Sequence, residues 1–219
     1  MTMIKSNAEQ IVTRIHQSCD KVSRDVQEVC PIIVTKNRTN EEIQEVYSLG
    51  FRHFAENRVE KLLDRQNAFP QKDIVWHLIG PLQKRKVKQI VNQIQYFHAI
   101  DRLSIMEEID KRLDSPLKCF LEVNVSGEES KHGFTISEVF EAYEVAKQYP
   151  NIEIIGLMTM APFEANDEAI RNYFRELKEV SKKLQSESTL KLSMGMSQDY
   201  PIAIEEGAHF IRIGTAWFE

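Results

Sequence analysis

The chain has 219 residues, of which 42% are hydrophobic and 28% are charged, and its formal net charge at pH 7 is -5. These values are typical of a soluble globular protein, and the acidic balance argues against a broad nucleic-acid-binding surface. No apolar stretch approaches the roughly 20 residues needed to cross a bilayer. The polar residues 1–10 lack the apolar centre of a signal peptide. We therefore expect a cytoplasmic protein that binds neither nucleic acid nor membranes.

The cysteines and histidines show no metal-binding pattern. Cys19, Cys30 and Cys119 are odd in number and far apart, so they are expected to be reduced thiols and not disulfides or zinc ligands. The six histidines include no HExxH pair. The glycine-rich loops GxGxxG and GxxxxGK[ST] are also absent, which disfavours the nucleotide-binding modes that depend on them.

Strand-like and helix-like patterns alternate along the whole chain without a low-complexity linker. The predicted strands are Pro31–Thr35, Phe51–Ala55, Ile74–Ile79, Tyr96–Ile100, Leu117–Val125, Ile152–Met158, Leu190–Ser193 and His209–Ile213. The predicted helices between them are Thr39–Leu49, Arg58–Ala68, Leu82–Ile94, Leu103–Leu113, Ser137–Gln148, Asp167–Gln185 and Asp199–Glu206.

Eight strands alternating with helices predict an α/β fold, a single (β/α)8 TIM-type barrel spanning residues 1–219. Apolar residues at helical spacing predict an additional opening helix from about Ile4 to about Val29. No helix is predicted after the last strand. The opening helix, within residues 1–29, is therefore expected to pack on the barrel in the place of an eighth outer helix, and removing residues 1–27 should destabilise the fold.

Polar residues follow the predicted strands at the end where such barrels carry their chemistry. Lys36 follows the first strand, and Arg212, Gly214 and Thr215 lie at the end of the last one. Lys36 alone is more simply interpreted as a solvated residue capping a strand. If the barrel closes, however, Lys36 lies near Arg212 and is partly withdrawn from water, which favours a nucleophilic amine.

The segment from Ser193 to Asp199 joins a short predicted strand to a predicted helix. Unpaired backbone amides at a helix start attract anions, although Ser197 or Asp199 would serve equally well as a simple helix cap. Together with Gly214 and Thr215, this segment coincides with the usual phosphate site of these barrels. A lysine, an arginine and a phosphate cup at one barrel mouth would suit a phosphorylated aldehyde.

Two other features have simpler interpretations. The basic run Lys84–Lys88 is interpreted as a solvated helix face, in preference to a surface that contacts RNA or an acidic partner. His77, at a predicted strand end, is at least as well explained as a hydrogen-bonded structural histidine as by a place in the pocket.

Seven segments, in order across nearly the whole chain, carry a family resemblance. They are Val34–Lys36, Phe54–Arg58, Trp76–Gln83, Ser130–Gly133, Gly156–Thr159, Leu192–Ser197 and Ile211–Ala216. The sequence resembles the pyridoxal phosphate homeostasis protein family. The resemblance implies a fold-type III barrel like the N-terminal domain of alanine racemase, without that enzyme's C-terminal β domain.

The resemblance also implies pyridoxal 5′-phosphate (PLP) as cofactor, bound as a Schiff base. Lys36 matches the Schiff-base lysine, and Ser197, Gly214 and Thr215 match phosphate contacts, with Ser193 close by. Arg212 matches the arginine that faces the pyridine nitrogen in racemase-like sites, or it contacts the phosphate. Pocket-lining positions are matched by Asn57 and Met158.

The resemblance implies a carrier and regulator of intracellular PLP, without an established turnover reaction. Apo PLP-dependent enzymes are the expected acceptors, and the protein is expected to be a monomer. Two alternatives stay open: a low-activity PLP-dependent racemase-like or decarboxylating enzyme, and a cofactor-free Schiff-base aldolase acting on a sugar phosphate.

Overall fold

The computed structural model describes residues 2–128, 131–184 and 190–219. Within these residues, eight parallel strands close into a barrel in chain order, and the first strand pairs with the last. The strands are β1 Cys30–Val34, β2 His53–Glu56, β3 Val75–Leu78, β4 Tyr96–Ile100, β5 Leu117–Glu122, β6 Ile152–Met158, β7 Lys191–Ser193 and β8 Phe210–Ile213. The predicted (β/α)8 fold class is confirmed.

The strands form where apolar and β-branched residues cluster, because both surfaces of a barrel strand are covered. Two predicted strands, Tyr96–Ile100 and Ile152–Met158, have the predicted bounds. The fifth strand ends at Glu122, before the predicted Val125. Beyond Glu122 the chain turns to pair with another segment: the Phe134 amide donates to the Glu122 carbonyl at 2.8 Å.

Helices surround the barrel. In the described part of the chain they are α1 Met3–Lys21, α2 Asn40–Ser48, α3 Val59–Ala68, α4 Val87–Ile90, α5 Leu103–Asp110, α6 Glu138–Ala146, α7 Asp167–Leu184, α8 Tyr200–Glu205 and α9 Thr215–Phe218. Three short 3₁₀ helices, Val26–Glu28, Lys84–Lys86 and Val91–Gln93, complete the set. None of the helices described is both long and apolar enough to cross a membrane.

Two helix predictions need correction. The opening helix stops at Lys21 and not near Val29, because Ser23 adopts a left-handed φ of 52° that ends helical hydrogen bonding. The predicted helix Leu82–Ile94 is broken into two 3₁₀ segments around the single turn of α4. Consecutive basic residues in its first turn oppose the helix dipole, and Gln83 provides no side-chain cap.

The place of the eighth outer helix is shared by α1 and α9. A helix after the last strand was not predicted, yet α9 is present, and α1 packs against α2, α8 and α9. Asn7 Nδ2 donates to the carbonyl oxygens of Trp217 and Glu219, each at 3.2 Å. The Trp217 side chain is fully buried and meets Phe51 edge to face, with ring centroids 4.7 Å apart. The opening helix thus packs against the outer helices α2, α8 and α9.

The buried face of α1 gives a direct test of its contribution. Ile11 is 3% exposed and its neighbour Val12 is 36% exposed. Replacing Ile11 with Ala removes buried methyl groups and leaves a cavity, so we expect a loss of about 2–4 kcal/mol in the free energy of unfolding. Val12→Ala is the matched control and should cost less than about 1 kcal/mol. Urea unfolding followed by circular dichroism measures both, and equal losses would contradict the packing described.

Candidate functional site

The polar residues of the predicted site lie at the carboxyl ends of the strands. β1 and β8 are neighbours, with Ile32 paired to Arg212 and Ile33 to Ile213. A methyl group on Gly214 would lie 3.6 Å from Val34 Cβ, two residues before Lys36. The expected proximity of the first and last strand ends is thus confirmed.

Arg212 is the most enclosed cation of the site, at 4% exposure. Its Nη1 donates to Ser193 Oγ at 2.7 Å and its Nη2 to the Thr159 carbonyl oxygen at 2.9 Å. Its backbone amide donates to the Gly195 carbonyl at 2.8 Å. Bonds from two nitrogens of a planar guanidinium to two strands fix its orientation as well as its position.

Two carboxyl groups partly offset the effect of burial on the pKa of Arg212. Burial lowers the Arg212 pKa to about 10, while Asp199 and Glu122 oppose that shift. For Glu122, burial and the nearby Asp101 raise the pKa to about 7, although Arg212 acts in the opposite direction. At neutral pH the site therefore contains a charged guanidinium and a carboxyl group that readily exchanges a proton.

Glu122 was not among the residues singled out from the sequence. It is 4% exposed and ends β5, where it pairs in register with Met158. The sequence showed it only as a carboxylate inside the predicted strand Leu117–Val125. Met158 itself is fully buried and pairs with Ser193 on its other side, so these two predicted residues lie on adjacent strands.

The segment after β7 forms a compact cup with the start of α9. Ser197 Oγ accepts hydrogen bonds from the Gly214 amide at 3.1 Å and the Ala216 amide at 3.3 Å. Gly195 has a φ of 95°, and a methyl group there would lie 2.6 Å from Ala203 Cβ, so the turn requires glycine. Thr215, exposed, begins α9 between the two amides.

The helix-cap interpretation of this segment is wrong in its details. Asp199 precedes α8 but makes no capping bond, and its Oδ1 accepts from the Met196 amide at 2.5 Å. Ser197 binds amides of the following strand–helix junction and not of α8. The segment therefore serves to bring a hydroxyl group and backbone N–H groups together.

Lys36 opens onto a separate cavity of about 420 Å³ beside β1 and β2. Asn57 lines the same cavity, whose wall is dominated by basic side chains; the lining residues are Lys36, Asn37, Arg38, Glu56, Asn57, Arg58, Lys61 and Arg65. The expectation that Lys36 is partly withdrawn from water is wrong, since its side chain is exposed. Thr35, the residue between β1 and Lys36, is still fully buried.

A buried ion pair supports the loop that carries Lys36. Glu56, 1% exposed, accepts from Thr35 Oγ1 at 2.7 Å and from Arg65 Nε at 3.4 Å. Arg65 also donates to the carbonyl oxygens of Thr35 and Arg38, on either side of Lys36. Within the described residues, Glu56 Oε2 is buried without a hydrogen-bond partner. Arg65, on α3, was not singled out from the sequence.

Asn57 is positioned by a close backbone contact. A methyl group on Gly80 would lie only 2.2 Å from the Asn57 carbonyl oxygen, so the loop after β3 can approach β2 only with glycine at this position. His77, on β3, is fully buried and hydrogen-bonded to His53 and His98. The structural interpretation of His77 is therefore confirmed, whereas His98 was missed.

The residues fit a phosphorylated aldehyde chemically. The Ser197 and Thr215 hydroxyls supply neutral donors for a phosphate, and the Gly214 and Ala216 amides, which donate to Ser197 Oγ, hold that hydroxyl in place. Arg212 is a fixed, buried donor next to this cup, because its backbone N–H donates a hydrogen bond to the Gly195 carbonyl. Lys36 supplies a primary amine on the adjacent strand end.

Comparison with known proteins gives matches over nearly the whole chain. Residues 7–219 match the family model described as alanine racemase, N-terminal domain. The pyridoxal phosphate homeostasis protein of Aquifex aeolicus is 38% identical over 217 residues, covering 95% of this chain and 94% of the relative. The protein of the same name from Pseudomonas aeruginosa is 34% identical, covering 100% of this chain and 96% of that protein.

Solved structures show the same architecture. PipY of Synechococcus elongatus, in a structure described as having PLP bound, superimposes with a TM-score of 0.82 at 29% identity and covers 94% of this chain and 100% of its own. An alanine racemase of Clostridium difficile shares the fold with a TM-score of 0.76 at 13% identity, covering 98% of this chain and 56% of its own. The chain therefore belongs to the pyridoxal phosphate homeostasis protein family.

Proposed function

We propose that this protein binds PLP through a Schiff base to Lys36 and acts as a carrier and regulator of intracellular PLP. The observation that carries the proposal is that three features lie at the same end of the barrel on neighbouring strands: the Lys36 amine after β1, the buried Arg212 on β8 and the cup around Ser197 after β7. The name shared by the relatives and the PLP reported in the PipY structure support it.

Each predicted residue has a part in the proposal. Ser197, Gly214 and Thr215 would form the phosphate site at one strand–helix junction: the two hydroxyls would donate to the phosphate, and the Gly214 amide would hold Ser197 Oγ in place. Ser193 would orient Arg212 through their 2.7 Å bond. Asn57 lines the cavity beside Lys36, while the buried Met158 contributes an apolar floor.

Arg212 is proposed to face the pyridine nitrogen and to restrain the chemistry of the cofactor. When bound, PLP supplies an electrophilic aldehyde, and it becomes a strong electron sink when its ring nitrogen is protonated. A guanidinium has no acceptor capacity and discourages that protonation. Here both its Nη groups are already directed by Ser193 and Thr159, so the charge stays fixed at one place. This restraint on the electron sink agrees with the binding role proposed here.

The proposed function includes an acceptor, an oligomeric state and a cellular location. The exposed Lys36 side chain and its cavity would let apo PLP-dependent enzymes reach the bound cofactor from solvent. We propose a monomer in the cytoplasm. The reduced state of the three cysteines, which are all free in this structure, supports a reducing compartment.

Covalent attachment at Lys36 is tested by reduction. The purified protein, incubated with PLP, should show a visible absorption band that disappears on borohydride treatment, leaving a phosphopyridoxyl group on Lys36 in peptide mass mapping. Lys36→Ala should lose the band and the adduct and stay folded. Lys61→Ala is the matched control, because Lys61 lines the same cavity on α3 and is exposed.

Other outcomes of this experiment distinguish the alternatives. An adduct on Lys61 or unchanged labelling of Lys36→Ala would contradict the site. No band in the wild-type protein would favour the cofactor-free aldolase. An amino acid that shifts the band and is then converted would favour the enzyme.

Arg212 should determine how tightly PLP is retained. Arg212→Gln removes a charged donor from a buried site, so we expect PLP affinity to fall by at least about tenfold. Arg85→Gln, at an exposed position outside the site, should leave affinity unchanged. Equilibrium dialysis with PLP measures both variants, and wild-type retention by Arg212→Gln would remove Arg212 from the proposed site.

Glu122 should make stability depend on pH in an unusual direction. Its pKa is raised from 4.5 to about 7, so the folded protein holds this proton more tightly than the unfolded chain does. The contribution of Glu122 to stability is therefore present at low pH and is lost as pH rises from 4.5 to about 7.

Glu122→Gln stays neutral at every pH. Relative to wild type, it should gain on the order of 3 kcal/mol in unfolding free energy between low and neutral pH, since each pKa unit corresponds to about 1.4 kcal/mol. Urea unfolding at a series of pH values measures the difference. Glu153→Gln, at an exposed position of β6, is the control, and the same pH trend in both variants would refute the prediction.

A further inference from the structure

A continuous chain of hydrogen bonds crosses the barrel interior and ends at Arg212. His53 Nδ1 lies 2.9 Å from His77 Nε2, and His77 Nδ1 lies 2.9 Å from His98 Nε2. His98 Nδ1 lies 2.8 Å from Ser193 Oγ, which accepts from Arg212 Nη1 at 2.7 Å. The chain starts at the first residue of β2 and reaches the last residue of β7, so it spans the barrel from its amino end to its carboxyl end.

Aromatic contacts hold the two inner histidine rings in place. The His77 ring stacks on Tyr96 with centroids 4.5 Å apart and planes at 5°, and the His98 ring stacks on Phe120 at 4.3 Å and 16°. Both rings also contact Phe210. His77 and His98 are fully buried, and burial lowers the pKa of each well below 6.5. Both rings are therefore neutral at neutral pH, with one proton each.

Arg212 determines which way the chain points. A guanidinium only donates hydrogen bonds, so Ser193 Oγ must be the acceptor in that contact. Ser193 is fully buried, and among the described residues the other polar atom bonded to its hydroxyl is His98 Nδ1. The serine proton therefore points to His98 Nδ1, because in the opposite arrangement it would be buried without an acceptor.

The same reasoning then passes from ring to ring. With Nδ1 accepting, the His98 proton is on Nε2 and is donated to His77 Nδ1. His77 in turn carries its proton on Nε2 and donates to His53 Nδ1. Each donor in the chain finds an acceptor, and the half-buried His53 ends it at the amino side of the barrel.

We propose that His98, backed by His77 and His53 in one Nε2–H tautomer chain, is a positioning residue for Arg212. By accepting the Ser193 proton, His98 Nδ1 keeps a serine lone pair directed at Arg212 Nη1, and so holds the guanidinium in the orientation that the cofactor meets. The effect on PLP rests on the proposed function, whereas the tautomer assignment does not.

The tautomers can be read directly in the protein without added PLP. In a long-range ¹H–¹⁵N correlation spectrum of ¹⁵N-histidine-labelled wild-type protein at neutral pH, His77 and His98 should both carry their proton on Nε2. Assignments come from single histidine variants. A proton on Nδ1 of either ring would overturn the proposal, whatever the protein does with PLP.

Two substitutions of His98 separate positioning from packing. Asn places Oδ1 where Nδ1 was and can still accept the serine proton, whereas Phe keeps a ring against Phe120 but offers no acceptor. His98→Phe should weaken PLP binding by about tenfold, and His98→Asn by no more than about threefold. Equal affinities in the two variants would show that His98 acts only in packing and would overturn the proposal.

A spectroscopic readout independent of PLP accompanies this pair. The Arg212 guanidinium ¹⁵N signals should be resolved in the wild type and in His98→Asn, because rotation about Cζ–Nη is restrained. In His98→Phe they should be averaged. If His98→Phe does not fold, the wild-type tautomers and His98→Asn still decide the matter, since averaged Arg212 signals in His98→Asn or the wild type would refute restraint by this chain.

Discussion

Pairing between the first and last strands is the constraint on which the rest of the structure depends. β1 pairs with β2 on one side and with β8 on the other, so the sheet has no free edge. The register of that closure places Arg212 beside Ile32 and brings Gly214 against Val34. Residues separated by most of the chain therefore share one end of the barrel. Without this pairing the Lys36 loop and the Ser197 cup would have no common location.

Closure also creates an interior that is unusually polar for a barrel. Side chains inside such barrels are typically bulky and apolar, yet here the interior holds His77, His98, Ser193 and Arg212. Burying a charged guanidinium is tolerated only with full hydrogen bonding and nearby opposite charge. Ser193 and the Thr159 carbonyl supply the bonds, and Glu122 with Asp199 supplies the charge. The Arg212 side of the site is therefore held by the barrel core.

Sequence patterns predicted the architecture well, because strands and helices differ in hydrophobic period. Tyr96–Ile100 and Ile152–Met158 stand out as apolar runs of strand length, and both bounds are confirmed. Failures arose where local pattern carries no information. The four residues of α9 are too few to show a helical period. In the predicted helix Leu82–Ile94, the basic residues Lys84–Lys86 oppose the helix dipole, and the helix is broken there although the hydrophobic period continues.

The predicted site residues were found from strand ends and family resemblance. The structure joins Arg212 to Ser193 by one hydrogen bond and Gly214 to Ser197 by another. Glu122 and His98 were missed for a physical reason. Whether a strand side chain points into the barrel or out to a helix is set by closure, which a linear pattern does not contain. Glu122 and His98 both lay inside predicted strands, where the pattern gave no sign that they face the site.

The cavity beside Lys36 has a consequence for how ligands arrive. The chain as a whole is negative, at -5, but the cavity wall includes Lys36, Arg38, Arg58, Lys61 and Arg65 against the single carboxylate of Glu56. A concave surface with low-dielectric walls concentrates such a field. An anionic molecule is therefore drawn towards this opening although the net charge of the chain is negative. The local field favours this side of the barrel for the first encounter with a phosphate, before any specific contact forms.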